Sequence, residues 1–311
     1  MSDIILQAHS IKYIDGKIKE KKYKSKSDTM YQIASCSKFI TSIIVAKLYE
    51  LGKLDYDTDI NKYLKKWKCP VKNITLRHLL THTSGSSDSN GFLGMEPQIP
   101  YNQNLQLNID IIIGKSYSKP FNVTEKPGKK FMYSGAGFQV IQQVIEEITN
   151  KRLYKLMDEY IFTKLNMKNS TGKLLYDNKH KYNLANLDGL YRMYPETAAA
   201  GVWMSCNDLL TLCIDLMNGY NNDNSKILNQ KTIQMITKGE HPEWQKKYMN
   251  YGLGMFVGET DGHKLFAHGG SNYGYKMNFN CMPDKNKIEI IMFSHNPKIY
   301  KNLKKEAMKL L

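Results

Sequence analysis

Two hydrophobic periods divide this chain, and their order limits the folds open to it. Strand-like alternation marks 10-SIKYI-14 and 17-KIKEKKY-23, joined by the tight-turn pair Asp15-Gly16. Alternation returns from about Tyr251, in 251-YGLGMFVG-258, 263-HKLFAHGG-270, 274-GYKMNFNC-281 and 287-KIEIIMFS-294. Between them the period is helical. Candidates are about Ser35 to Leu51, with Gly52 as the stop, then 75–82, 137–150, 151–165 and 206–220. A basic amphipathic helix over about 298–311 closes the chain. Joining the N-terminal hairpin to the C-terminal meander in one antiparallel sheet is the most economical arrangement, with the central helices as a second lobe. The expectation is therefore an α+β chain. Its α/β lobe covers about 1–60 and 235–311, its helical lobe about 61–234, and its site lies in the groove between them.

At 311 residues, 41% hydrophobic and 11% aromatic, the chain can bury a sizeable core. The formal charge of +15 is spread along the sequence rather than clustered, so no nucleic-acid partner is expected. The five cysteines, Cys36, Cys69, Cys206, Cys213 and Cys281, form no CxxC or Cys/His ligand spacing. They read as independent thiols in a reducing compartment. The N-terminus has no signal-peptide pattern and no apolar run is long enough to span a bilayer, so a soluble, cytoplasmic protein is expected. The oligomeric state is left open. No HExxH or similar spacing joins the histidines, and no glycine-rich phosphate loop is present, so neither metal nor cofactor is expected.

Three polar elements stand out. Ser35 and Lys38 lie one helical turn apart at the start of 33-IASCSKFITSIIVAKL-48. That spacing puts their side chains on one face within hydrogen-bonding reach. Unpaired N–H groups at a helix start favour a developing alkoxide, and the apolar neighbours Ile33, Phe39 and Ile40 favour an uncharged amine. The pattern alone is not selective, since roughly two chance matches are expected in so lysine-rich a chain. It recurs at Ser116/Lys119, where Pro120 follows, and at Ser170/Lys173, which Gly172 interrupts. The alternative for Ser35 is a helix cap. Tyr133 in 131-FMYSGAGF-138 is a candidate base if cationic amines lie beside it, or else a core tyrosine. In 266-FAHGGSNYGY-275, a strand ends at His268-Gly269-Gly270. The glycines permit close backbone approach, and the Ser271 N–H is a candidate oxyanion donor. A simple glycine bend is the alternative.

Taken in order, Ser35-x-x-Lys38, Tyr133 and His268-Gly269-Gly270 resemble the class C β-lactamase family and its penicillin-binding and esterase relatives. The stretches 75-TLRHLLTHTSG-85, 161-IFTKLNMKNST-171, 198-AAAGVWMSCNDLL-210 and 251-YGLGMFV-257 agree with it, so the resemblance runs from about Asp28 to Ser294. It implies a β-lactamase/transpeptidase-like fold over 1–311, with an antiparallel sheet flanked by helices plus a mainly helical lobe. It implies Ser35 as nucleophile, Lys38 as proton acceptor or its orienter, and Tyr133 as general base. His268 takes the place of the third motif's cationic residue, and Ser35 and Ser271 supply the oxyanion N–H groups. Gly135 stands where β-lactamases commonly carry an asparagine that grips the substrate amide. The implied activity is hydrolysis of an ester or amide through an acyl-enzyme. The alternatives are a D-amino-acid peptidase or β-lactamase, or a non-turnover acyl-binding sensor or scaffold.

Overall fold

The computed structural model describes residues 4–86, 108–115, 119–175, 181–185, 192–240, 249–298 and 302–311. Most of the serine/glycine-rich stretch 84–94 and the decoy serine Ser116 lie outside them. The chain opens with β1 (Ile5–Ile14), β2 (Lys17–Tyr23) and the short β3 (Met30–Gln32). A 3₁₀ turn over Ala34–Cys36 leads into α1 (Ser37–Glu50). The middle contains α2 (Leu76–Leu80), α3 (Asn108–Ile112), α4 (Gly135–Thr149) and α5 (Leu153–Met157), which runs into a π-helical turn at Asp158–Phe162. β4 (Ser170–Thr171) and β5 (Trp203–Ser205) precede α6 (Cys206–Asn222) and α7 (Gln230–Ile236). The C-terminal part runs β6 (Met249–Tyr251), β7 (Phe256–Thr260), β8 (His263–Asn272), β9 (Tyr275–Met282), β10 (Lys287–His295) and α8 (Leu303–Leu310).

The expected union of the two chain ends is present. The seven-stranded sheet has the order β2-β1-β10-β9-β8-β7-β6 and is antiparallel throughout, with β1 paired to β10 from Ile5↔His295 to Ile14↔Lys287. A three-stranded sheet, β3-β5-β4, lies beside it. The 251–258 stretch, expected as one strand, is instead the end of β6, a turn, and the start of β7. Gly252 N–H donates to the Met255 carbonyl at 2.9 Å, and this closes the turn. The expected C-terminal helix begins only at Leu303, after Asn302 in the left-handed region (φ +58°).

α1 sets the position of everything else. Eleven of its fourteen residues are buried, so it is a core helix rather than an amphipathic surface one. Phe39 lies against Phe279 and Phe266 of the sheet, at ring-centroid distances of 4.9 and 6.5 Å. Its other sides meet α4, α5 and α7. Each large side chain buried in this way contributes about 1.5–3 kcal/mol. α6 departs from the expected lobe boundary. It falls within 61–234 yet packs on β1, β9 and β10, because its apolar stripe (Leu209, Leu212, Cys213, Leu216) matches the sheet face. All five cysteines are buried as free thiols. Among the described residues, no helix is long and apolar enough to cross a membrane.

Candidate active site

The serine is presented by backbone geometry. Ala34 sits in the left-handed region at φ +49°, unusual for a residue with a Cβ. Ser35 follows in the 3₁₀ turn, before α1 rather than within it. At a helix start its N–H lacks an intrahelical acceptor and is free to point at a ligand. Ser35 remains partly exposed, whereas Lys38, on the first turn of α1, is 1% exposed. The Lys38 Nζ lies 3.3 Å from the Ser35 Oγ and donates to the Ala199 carbonyl at 2.9 Å. It also lies 4.9 Å from the Tyr133 ring centroid and 5.6 Å from that of Phe138. Among the described residues, no carboxylate lies within ion-pair distance of it. Holding an amine in such a setting opposes stability. Lys38→Met is therefore expected to maintain or raise Tm in a thermal melt, while kcat/KM falls by about 10³-fold.

The 198–202 segment forms one wall. Ala198 N–H donates to Gln142 Oε1 (3.1 Å), and Thr41 Oγ1 donates to the Ala198 carbonyl (3.0 Å). Val202 N–H donates to Ser37 Oγ (3.1 Å), and Ile33 N–H donates to the Val202 carbonyl (3.0 Å). These bonds place the Ala199 carbonyl over Lys38. The motif 198-AAAGVWMSCNDLL-210 marks this segment in the sequence, but its role as an acceptor for the buried amine emerges only in three dimensions.

Tyr133 lies beside Lys38, just ahead of α4. Ser134 caps that helix by accepting from Gly137 N–H at 3.0 Å. Gly135 is the first residue of α4, so the position that commonly carries a substrate-gripping amide has no side chain here.

β8 closes the site opposite. β7 pairs with it only as far as Ala267, so residues 268–272 have β9 on one side and, among the described residues, no strand on the other. The Ser35 turn occupies that open edge. Asn272 and Tyr275 flank the two-residue turn Tyr273-Gly274 and form its hydrogen-bonded pair. Alternation then makes Ser271↔Lys276 a non-bonded pair, and directs the Ser271 N–H and C=O away from β9 toward the open edge. Asn272 ties this end to the 198–202 wall by donating to the Ala200 carbonyl at 3.1 Å.

His268 corrects one expectation. It occupies the third motif's position but does not present a cation. It is 1% exposed; its Nδ1–H donates to the Gly269 carbonyl (2.6 Å), and its Nε2 accepts from the Tyr251 hydroxyl (3.1 Å). Burial pushes its pKa down to about 3, so the ring is neutral. A folded-state pKa below the unfolded value means that the unfolded chain takes up the proton first. The stabilisation from a neutral His268 is complete above about pH 6.5 and is lost as pH falls toward 3, amounting to about 2 kcal/mol by pH 5. Denaturant melts at pH 7.5 and pH 5 should show that loss, and His268→Asn should reduce it.

A family model described as Beta-lactamase matches residues 11–309, and the chain belongs to that family. Penicillin-binding protein 4* of Bacillus subtilis (strain 168) is 28% identical over 161 residues, covering 51% of this chain and 33% of that protein. The chain thus spans about a third of the length of the first curated relatives it matches. A putative D-alanyl-D-alanine carboxypeptidase of Escherichia coli (strain K12) is 22% identical, over 92% of this chain and 73% of that protein. Among solved structures, a penicillin binding protein from Bacillus halodurans is similar with a TM-score of 0.75, at 19% identity, over 97% of this chain and 96% of that one. A D-amino acid amidase from Ochrobactrum anthropi SV3 is similar with a TM-score of 0.75, at 16% identity, over 98% and 93% of the two chains.

Proposed function

We propose that this protein is an acyl-transfer serine hydrolase acting on an ester or small amide. The observation that carries the reading is a partly exposed Ser35 hydroxyl within hydrogen-bonding distance of the buried Lys38 amine, itself beside Tyr133. In this reading the Ser35 Oγ attacks the substrate carbonyl carbon, and its proton passes to Lys38 or Tyr133. The carbonyl oxygen gains the negative charge and is held by the N–H groups of Ser35 and Ser271. The carbon–leaving-group bond breaks as the proton moves to the leaving group. Water then adds to the acyl-Ser35 ester and releases the acid. Gly135 supplies no amide side chain to grip a substrate amide, which favours esters over amides.

A D-amino-acid amide or peptide is the second reading. It draws on the similarity to a D-amino acid amidase and to a putative carboxypeptidase. The experiment is labelling with a fluorophosphonate, followed by peptide mapping. One adduct per chain on the peptide containing Ser35 is expected. An adduct on another serine, or none, would sink the reading. Steady turnover of p-nitrophenyl esters after labelling-competent acylation separates a hydrolase from a sensor that acylates and stalls.

A further inference from the structure

We propose that His82 is the positioning residue of Tyr133, holding the peptide on both sides of it and stacking on its ring; the inference rests on the acyl-transfer reading above. The His82 carbonyl accepts from the Met132 N–H at 2.7 Å. The His82 Nδ1 accepts from the Ser134 N–H at 3.0 Å. One residue thus grips the positions immediately before and after Tyr133. Its ring lies 4.2 Å from the Tyr133 ring, centroid to centroid, with an interplanar angle of 37°. Beyond Ser134, the chain is anchored independently by the cap on α4 and by a Ser86–Ser134 hydroxyl contact of 3.2 Å. His82 provides the matching anchor on the tyrosine itself.

Packing alone does not explain an imidazole here. His82 is fully buried and sits in the left-handed region at φ +58°, a conformation disfavoured for residues with a Cβ. With Nδ1 accepting, the ring hydrogen is on Nε2. Among the described residues that atom is buried with no hydrogen-bond partner, within a cage that includes Phe131, Phe138 and Tyr251. A leucine would fill the space without an orphaned donor. What a leucine cannot do is accept the Ser134 N–H. Burial keeps the ring neutral and so preserves Nδ1 as an acceptor. The motif 75-TLRHLLTHTSG-85 therefore acts at a distance, carrying His82 to a tyrosine 51 positions further along the chain.

The test is a double-mutant cycle on p-nitrophenyl acetate hydrolysis, with Ser35→Ala measured alongside. His82→Phe keeps a ring and removes the acceptor. It is expected to lower kcat by about 100-fold while KM stays within about threefold. His82→Asn places Oδ1 where Nδ1 accepted and tolerates a left-handed backbone, so it should recover at least about tenfold of that loss. In a Tyr133→Phe background, His82→Phe should cost less than about threefold more. Multiplying losses, an unchanged kcat with raised KM, or an Asn variant no better than Phe would each overturn the proposal. So would a Tyr133→Phe variant with full activity. If His82→Phe does not fold, the His82→Asn/Tyr133→Phe cycle decides by the same criterion. Undiminished turnover in Ser35→Ala would instead overturn the acyl-transfer reading itself, and the proposal with it.

Discussion

Ser35→Ala is expected to lower kcat/KM for p-nitrophenyl esters by at least about 10⁴-fold, with Tm unchanged within about two degrees. The loss is large because the reading requires a covalent intermediate on this oxygen, and residues that act as a unit fail together. In that reading Lys38 and Tyr133 cannot substitute, since each only moves a proton to or from Ser35 Oγ. The fold should be indifferent. Ser35 is partly exposed, and its hydroxyl meets the Lys38 amine at 3.3 Å. Alanine leaves Lys38 its bond to the Ala199 carbonyl. A Ser35→Ala variant that still turns over ester at a tenth of the parent rate would rule out Ser35 as the nucleophile.

Gly270→Ala should be the most damaging single-methyl change at the site. A Cβ at this position would meet the Ile33 carbonyl oxygen at 2.1 Å and the Ala34 Cβ at 3.0 Å. The oxygen belongs to backbone, so no rotamer change relieves the clash, and the methyl must push β8 away from the Ser35 turn. In the proposed acyl-transfer reading, those two segments carry the paired oxyanion N–H groups, on Ser271 and Ser35. Misplacing reacting groups by about 1 Å costs about 100-fold in rate, and overpacking of this kind costs about 1–3 kcal/mol. The expected result is a drop in kcat/KM of at least that size with a lowered Tm. Gly269→Ala is the comparison. Its Cβ would meet the Asn278 side chain at 3.3 Å and the Met277 carbonyl at 3.6 Å, contacts that a small shift accommodates. Equal losses from both variants would show that the close approach of Gly270 to Ile33 does not govern the site.

The sheet was legible from the sequence because its signals are local. Alternation in 10-SIKYI-14, the Asp15-Gly16 turn and the later meander each declare a strand within a few residues. Closure of the two ends then follows from the need to cover apolar faces. The split at Gly252–Met255 was not legible, since an apolar alternating run reads as one strand until a turn hydrogen bond is known. Nor was the placement of α6, because periodicity shows that a face is apolar but not which partner covers it.

The site divides in the same way. Ser35 and Lys38 are three residues apart, so helical geometry alone brings them within reach, and the sequence by itself determined that pair as a candidate. The order of Tyr133 and His268-Gly269-Gly270 suggested which elements join it. Only the tertiary structure decided the surroundings of each one. It turned His268 inward onto Tyr251 and Gly269, where burial removes its charge. It gave His82 two bonds around Tyr133, and set the Ala199 carbonyl on Lys38. The bonds from His82 to Ser134 and from Lys38 to Ala199 span 52 and 161 positions of chain. At such separations a residue's charge and hydrogen-bond partners depend on which surfaces are driven together, and no local pattern encodes that.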